Sequence, residues 1–152
     1  MLKYCLRKWD ENKKKLEEEL LKDPDLNNCE YKHIVEKVVE IILNTNEENL
    51  WSSAGITEID DGDYQGTLLF LIPRKTYQPS EYEYLMTYVG YGSCSGCDVL
   101  QAIQKYGENQ ISEDQLKDFM ALCKDIVTNM IKPYNFGWRD GEEFTEVEVN
   151  EG

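Results

Sequence analysis

Two cysteines separated by two residues, Cys94 and Cys97, are the residues of this chain whose type and spacing most clearly permit chemistry. They lie in the run Tyr91-Gly-Ser-Cys-Ser-Gly-Cys-Asp98, where glycine and serine serve backbone geometry rather than packing. The run falls where a predicted strand passes into a predicted helix. A CxxC pair at a helix start has three interpretations, namely a redox pair, half of a zinc site or a structural corner.

The redox interpretation places Cys94 near the helix N-terminus, where the helix dipole and free N–H groups stabilise a thiolate. The strand-CxxC-helix fragment resembles the active-site corner of a glutaredoxin over this short stretch. A thioredoxin-type site also needs a later strand entered by a cis-proline, and the sequence after Cys97 offers none. The neighbouring Asp98 and the net charge of −14 oppose ionisation of a thiol.

The zinc interpretation needs two further ligands besides Cys94 and Cys97. Cys29 and His33 are the candidates, because they lie at i and i+4 at the start of the second predicted helix. One CxxC is a weak zinc signal, so we expect no cofactor and keep zinc as the alternative. In the structural interpretation both thiols pack as small buried hydrophobes beneath the turn. The pattern favours this third interpretation and leaves the other two open.

The same run resembles a motif in short uncharacterised proteins of tailed phages and their bacterial hosts. The resemblance covers residues 56–104. It is carried by Tyr91 to Asp98, by Leu100-Gln101 after this run, and by a hairpin that rises from Asp63-Tyr64-Gln65-Gly66. It implies a setting, the cytoplasm of a phage-infected bacterium, rather than an activity.

Tyrosines crowd the predicted hairpin before this corner, at positions Tyr77, Tyr82, Tyr84, Tyr88 and Tyr91. Strand alternation places Tyr82, Tyr84 and Tyr88 on one face, with Leu85, Thr87, Val89 and Tyr91 on the other. Either one face is core and the other a tyrosine-lined surface, or helices cover both. Exposed tyrosines are frequent in binding interfaces. The predicted binding residues are Tyr82, Tyr84, Tyr88, Tyr91, Ser93, Cys94, Ser95, Cys97 and Asp98.

Other candidate residues are weaker. His33 is the only histidine, and no Ser-His-Asp arrangement is evident around it. Asp60, Asp61 and Asp63 do not fit the spacing of a calcium loop and suit a solvated turn better. With no phosphate loop or nucleophile elbow either, a catalytic role is less expected than a binding role.

Helical periodicity predicts two arms around the hairpin, at about residues 2–46 and 96–132, with the hairpin region at about 56–91. The first arm holds a helix from Leu2 to Lys22 and a second from about Glu30. Strands are predicted at 56–59, 66–72 and 82–91, with Asp61-Gly62 as the first turn. A short helix spans about 96–106, and Ser112 and Gln115 form a capping box for a longer one. Thr145, Val147 and Val149 alternate with Glu146 and Glu148 in the tail, which suits either an edge strand, the interpretation preferred here, or a solvated and partly disordered end.

The predicted architecture is one α+β domain over residues 1–152. A small antiparallel meander packs against N-terminal and C-terminal helices, because the sequence shows no repeat and no linker. The first twenty residues hold no apolar core of a signal peptide, and an odd number of cysteines, five, fits a reducing compartment. We therefore expect a cytoplasmic protein.

The acidic composition narrows the choice of partner. Thirty acidic and 16 basic residues in a chain of 152 give the net charge of −14, which repels nucleic-acid phosphates and anionic membranes. We predict a protein-binding module that docks on a host or viral protein. In a sharper form of this hypothesis, the acidic surface imitates nucleic-acid charge and inhibits a basic, nucleic-acid-binding partner. The alternative is a thiol redox or zinc-binding protein centred on Cys94 and Cys97.

Overall fold

The computed structural model describes residues 2–45, 49–62, 66–75, 84–92 and 98–131. Its elements, in chain order, are α1 (Leu2–Lys22), α2 (Tyr31–Val38), a π-helical segment (Val39–Leu43), β1 (Thr57–Gly62), β2 (Gly66–Pro73), β3 (Tyr84–Tyr91), α3 (Val99–Ile103) and α4 (Glu113–Thr128). The three strands form one antiparallel sheet in the order β1-β2-β3. The predicted α+β class and the meander are therefore confirmed.

The helices bury one continuous apolar core. α1 contributes Tyr4, Trp9, Leu16 and Leu20 to it, whereas Leu6 is only half-buried. α1 contacts both the π-helical segment and α4. The π-helical segment, which the sequence did not predict, continues α2 without a break and also packs into this core. Asn12 of α1 donates a hydrogen bond to the Ile42 carbonyl there at 2.9 Å, which satisfies a backbone acceptor in that wider turn.

The two faces of the sheet differ, because successive side chains alternate across a strand. The inner face carries Phe70 and Ile72 of β2 and Leu85 of β3, all fully buried. The outer face carries Ile59 and Tyr88, which remain 43% and 41% exposed. α4 packs against β3, where the Thr87 hydroxyl donates to the Ile126 carbonyl at 2.7 Å. One face is therefore core and the other carries exposed apolar residues.

The predicted turn at Asp61-Gly62 is wrong. Both residues belong to β1, where Asp61 pairs with Thr67 and Gly62 pairs with Gly66. The ladder extends past this turn-type dipeptide because cross-strand pairing to β2 overrides local turn preference. Three other expectations fall outside the described residues, namely Tyr82 as part of the third strand, the glycine–serine corner at 93–97 and the strand at 145–149.

The predicted capping box of α4 is confirmed and serves a second purpose. The Ser112 hydroxyl accepts from the Gln115 backbone N–H, and Gln115 Oε1 accepts from the Ser112 backbone N–H. The Gln115 amide also donates to Asn27 Oδ1 at 2.6 Å and to the Ile103 carbonyl at 3.0 Å. The N-terminus of α4 is thereby tied both to the end of α3 and to the loop before α2.

Candidate functional site

A buried carboxylate, Asp98, holds the junction between β3 and α3. Its Oδ2 accepts the Gly92 N–H at 3.0 Å, and its Oδ1 accepts the Gln101 N–H at 3.1 Å as the N-cap of α3. Gly92 and Asp98 are the residues on either side of the segment that contains Cys94 and Cys97. A short polar residue at an N-cap is the expected choice, since it accepts an otherwise unpaired helix N–H.

Tyr31, the first residue of α2, completes this network from a distant part of the chain. Its hydroxyl donates to Asp98 Oδ1 at 2.8 Å and accepts the Leu100 N–H at 3.0 Å. Burial, together with the hydrogen bond to Asp98 and the charge of this carboxylate, raises the pKa of Tyr31 above its usual range. The phenol therefore stays protonated at neutral pH and remains a donor to the carboxylate.

A cleft of about 370 Å³ opens beside this network, between the N-terminus of α2, β1 and α3. Four carboxylates line it, from Glu30, Glu58, Asp60 and Asp98. None of the described lining residues is a lysine, arginine or histidine. Leu68 and Leu100 supply an apolar part of the wall, so the cleft combines negative charge with a small hydrophobic surface.

Tyr91 is the other tyrosine of the cleft. Its hydroxyl donates to Asp60 Oδ1 at 2.5 Å, which links the last residue of β3 to the edge strand β1. Gln104, after α3, donates from Nε2 to the backbone carbonyls of Leu26 and Cys29, both at 2.8 Å. Side-chain hydrogen bonds thus fix both walls of the cleft.

The structure divides the predicted tyrosine site between two faces. Tyr91 and Asp98 line the cleft, whereas Tyr84 and Tyr88 lie on the outer face of the sheet. The reason is that side chains alternate between the two faces of a strand. Tyr91 lies an odd number of residues from both Tyr84 and Tyr88, so it points to the opposite face. The remaining predicted binding residues, Tyr82, Ser93, Cys94, Ser95 and Cys97, lie outside the described residues.

The predicted pairing of Cys29 with His33 rested on helical i, i+4 spacing, which the structure does not provide. α2 begins at Tyr31 and Glu30 is extended, so Cys29 precedes the helix, and its thiol donates to the Leu26 carbonyl at 3.5 Å. His33 Nε2 instead lies 2.6 Å from the nearly buried Asp23 Oδ2. In the described part of the chain, no three His, Cys, Asp or Glu residues form a group suited to a metal ion.

The described cysteines are poor nucleophiles. Burial raises the pKa of Cys5, Cys29 and Cys123 to about 12, and at Cys29 the nearby Asp23 adds to the effect. At neutral pH all three are thiols, and the thiolate is the reactive form. Cys29 lines the cleft as a neutral, half-buried side chain.

We predict that iodoacetamide labels these three cysteines in the native protein at least about a hundredfold more slowly at pH 8 than in the unfolded chain, where a thiol has a pKa near 8.5. Labelling should accelerate as the pH rises towards 10 without reaching a plateau, because the thiolate fraction is still increasing. Mass spectrometry of the tryptic peptides separates Cys29 from Cys94 and Cys97. Labelling of native Cys29 at the unfolded rate would contradict the prediction.

A larger open depression of about 920 Å³ lies elsewhere, between the end of α1 and the loop that precedes α4. Its walls include Lys22, Lys105 and Glu108, so charges of both signs meet there. Loop residues such as Gly107 and Asn109 form much of the remaining wall. The mixed charge gives no preference for a ligand of one sign, and the smaller cleft is the better candidate site.

Sequence reasoning missed Glu30, Tyr31 and Glu58 as site residues. Glu58 and Asp60 share one face because the strand continues past residue 59, where the sequence predicted a turn, and acids at i and i+2 of a strand point to the same side. Nothing in the local sequence connects Tyr31 with Asp98, which lies 67 residues further along the chain. That contact depends on how α2 packs beside α3.

The fold and the cleft define an α+β protein with an acidic cleft beside the edge strand of a three-stranded sheet. Comparisons with protein-family models, curated proteins and solved structures return no match to this chain. Within the residues that the structure describes, none of the helices has the length and apolar character needed to cross a membrane.

Proposed function

We propose that this protein is a binding module whose acidic cleft receives a lysine or arginine side chain from a partner protein. The observation that carries the proposal is the charge of the cleft, where Glu30, Glu58 and Asp60 are accompanied by no described basic residue. Low-dielectric walls focus the field of such carboxylates, so they attract a cation more strongly than on an open surface. The net charge of −14 adds long-range steering of a basic partner.

The chemistry of the walls suits a long basic side chain. Its aliphatic stem can pack on Leu68 and Leu100 while its charged end reaches the carboxylates, as lysine and arginine do at other amphipathic sites. The Tyr91 ring offers a cation–π contact in the same cleft. The negative charge and the apolar wall of the cleft therefore favour the same ligand.

The sequence-based predictions of a cytoplasmic location and of a phage or bacterial origin remain part of this proposal, and they make a host or phage protein the expected partner. The narrower hypothesis, imitation of nucleic-acid phosphates, predicts that duplex DNA and this protein compete for one basic site. α1 contributes little to such a surface, because basic residues lie beside its acidic ones, as in the ion pairs Arg7–Glu11 and Asp10–Lys13. The cleft is the stronger concentration of negative charge.

The proposal is tested by selecting peptides from a random display library against the full chain at about 50 mM salt, where screening is modest. We expect the selected peptides to be enriched in lysine or arginine. The double substitution Glu30→Gln with Glu58→Gln should lower the affinity for the best peptide about tenfold, because neither carboxylate would then be present to attract the basic side chain. Added salt should weaken the same peptide steeply.

The matched control is Glu17→Gln with Glu18→Gln on the exposed face of α1, which changes the net charge by the same amount. This variant should bind within about twofold of the original protein, since screening limits charge effects to short distances. Selected peptides without basic residues, or equal weakening in both variants, would exclude the cleft as the binding site.

A second candidate function, thiol or zinc chemistry, is favoured by one observation. Cys29 lies in the same cleft as Gly92 and Asp98, the two residues that bracket Cys94 and Cys97. Metal analysis of protein purified without chelator, combined with thiol titration, separates the two functions. One zinc ion per chain or a readily oxidised Cys94–Cys97 pair would favour the second function, whereas no metal and ordinary thiols would leave the binding module.

A further inference from the structure

β1 is the first strand of the sheet and lies at its edge. Among the described residues, no strand pairs with it on the side away from β2. Thr57, Glu58, Ile59 and Asp60 are all exposed. Backbone N–H and C=O groups of an edge strand point outward at alternate residues, where they are available to another extended chain.

The two faces of β1 present different chemistry. Glu58 and Asp60 project over the acidic cleft, on the same side as Leu68 of β2. Ile59 lies on the opposite face, beside its cross-strand partner Leu69, which in turn pairs with Tyr88. An additional strand at this edge would therefore place every second side chain at the cleft and the others against an apolar surface.

We infer that β1 receives an extended segment of a partner protein as a fourth strand of the sheet, with basic and apolar residues alternating along that segment. The basic residues lie over Glu58 and Asp60, and the apolar residues pack beside Ile59. This inference rests on the proposed function of the cleft and adds to it the backbone geometry and the sequence pattern of the ligand.

Charge decides which chain occupies the edge. A second copy would bring its own Glu58 and Asp60 against the same residues, and like charges opposite one another destabilise a strand pair. The alternating stretch 145–149 of this chain carries Glu146 and Glu148 and is repelled in the same way. A basic segment from a different protein gains both the attraction to the carboxylates and the backbone hydrogen bonds.

N-methylation of the best library peptide, one amide at a time, tests the backbone part of the inference. In an added strand only every second N–H faces β1, so methylation should weaken binding more than about tenfold at alternate positions and less than about twofold between them. Hydrogen exchange of the full chain should show β1 amides gaining protection when the peptide is added.

Ile59→Ser tests the apolar face of the same strand. We expect it to weaken the peptide about fivefold through lost apolar contact, while the exposed residue makes little contribution to folding. The matched control is Leu21→Ser, which removes a similarly exposed aliphatic side chain, 38% exposed, from α1 and should leave binding unchanged.

The possible outcomes separate this inference from the proposed function. A peptide that depends on Glu30 and Glu58 but shows no alternating response to N-methylation binds through side chains alone, which overturns strand addition and leaves the binding module intact. Outward-facing β1 amides, those that do not bond to β2, would show by protection without peptide that the edge is occupied by this chain or a second copy, which also overturns strand addition. A peptide whose affinity does not change when the cleft carboxylates are replaced contradicts the proposed function itself.

Discussion

Replacing Asp98 with alanine is expected to lower the free energy of unfolding by about 4 kcal/mol, the largest effect we predict for a single polar side chain. The carboxylate accepts hydrogen bonds from the Tyr31 hydroxyl and from the backbone N–H groups of Gly92 and Gln101. Alanine would leave these donors without their acceptor in a buried region, and each buried unsatisfied group costs about 1–3 kcal/mol. The loss of the α3 N-cap is included in this total.

Urea unfolding followed by circular dichroism measures this change. Asp98→Asn should have an intermediate effect of about 2 kcal/mol, because the amide keeps one acceptor oxygen but presents an NH₂ donor in place of the other, whereas the carboxylate accepts three donors on its two oxygens. Val99→Ala is the control at the next residue, which is 54% exposed, and should change stability by less than about 0.5 kcal/mol. A loss below about 1 kcal/mol for Asp98→Ala would show that the network contributes little.

Gln115→Ala is expected to destabilise the protein by about 3 kcal/mol. Gln115 completes the capping box of α4 and also donates to Asn27 and to the Ile103 carbonyl, and its side chain is nearly fully buried. The substitution removes one helix cap and leaves a buried carbonyl without this donor. It also creates a small cavity, because alanine does not fill the volume of glutamine.

A double-mutant cycle with Asn27→Ala separates the direct contact from these other effects. Asn27 also accepts the Lys105 N–H at 2.9 Å and donates to the Glu108 carbonyl at 3.1 Å, so its own loss should cost about 2 kcal/mol. The double variant should be less destabilised than the sum of the two single variants by about 1 kcal/mol. Lys117→Ala, exposed on α4, is the control, and strict additivity would contradict the proposed contact.

Both predictions concern the position of α3, which forms one wall of the cleft. α3 has only five residues, and a helix of this length does not form by its own propensity. Asp98 and Tyr31 hold its N-terminus, while Gln104 and Gln115 hold the region after its last turn. Binding at the cleft should therefore weaken in Asp98→Ala even under conditions where the variant remains folded.

Much of the fold was predictable from the sequence because its signals are local. Three features depend only on residues that are close together in the sequence. They are the amphipathic pattern of α1, the capping box at Ser112 and Gln115, and the alternation of β3. The same locality explains the errors. Asp61-Gly62 has the composition of a turn, and Cys29 and His33 have the spacing of a helix, but pairing with β2 and the later start of α2 decided otherwise.

By itself the sequence determined the acidic charge, the α+β class, the order of the main helices and strands, and which of their faces are apolar. Composition and periodicity carry this information because they act through neighbouring residues. Only the tertiary structure decided that Glu30 and Glu58 share one cleft and that Tyr31 completes the hydrogen-bond network of Asp98. These features arise where distant segments pack together, and the burial of the shared core, rather than any local motif, sets their distances.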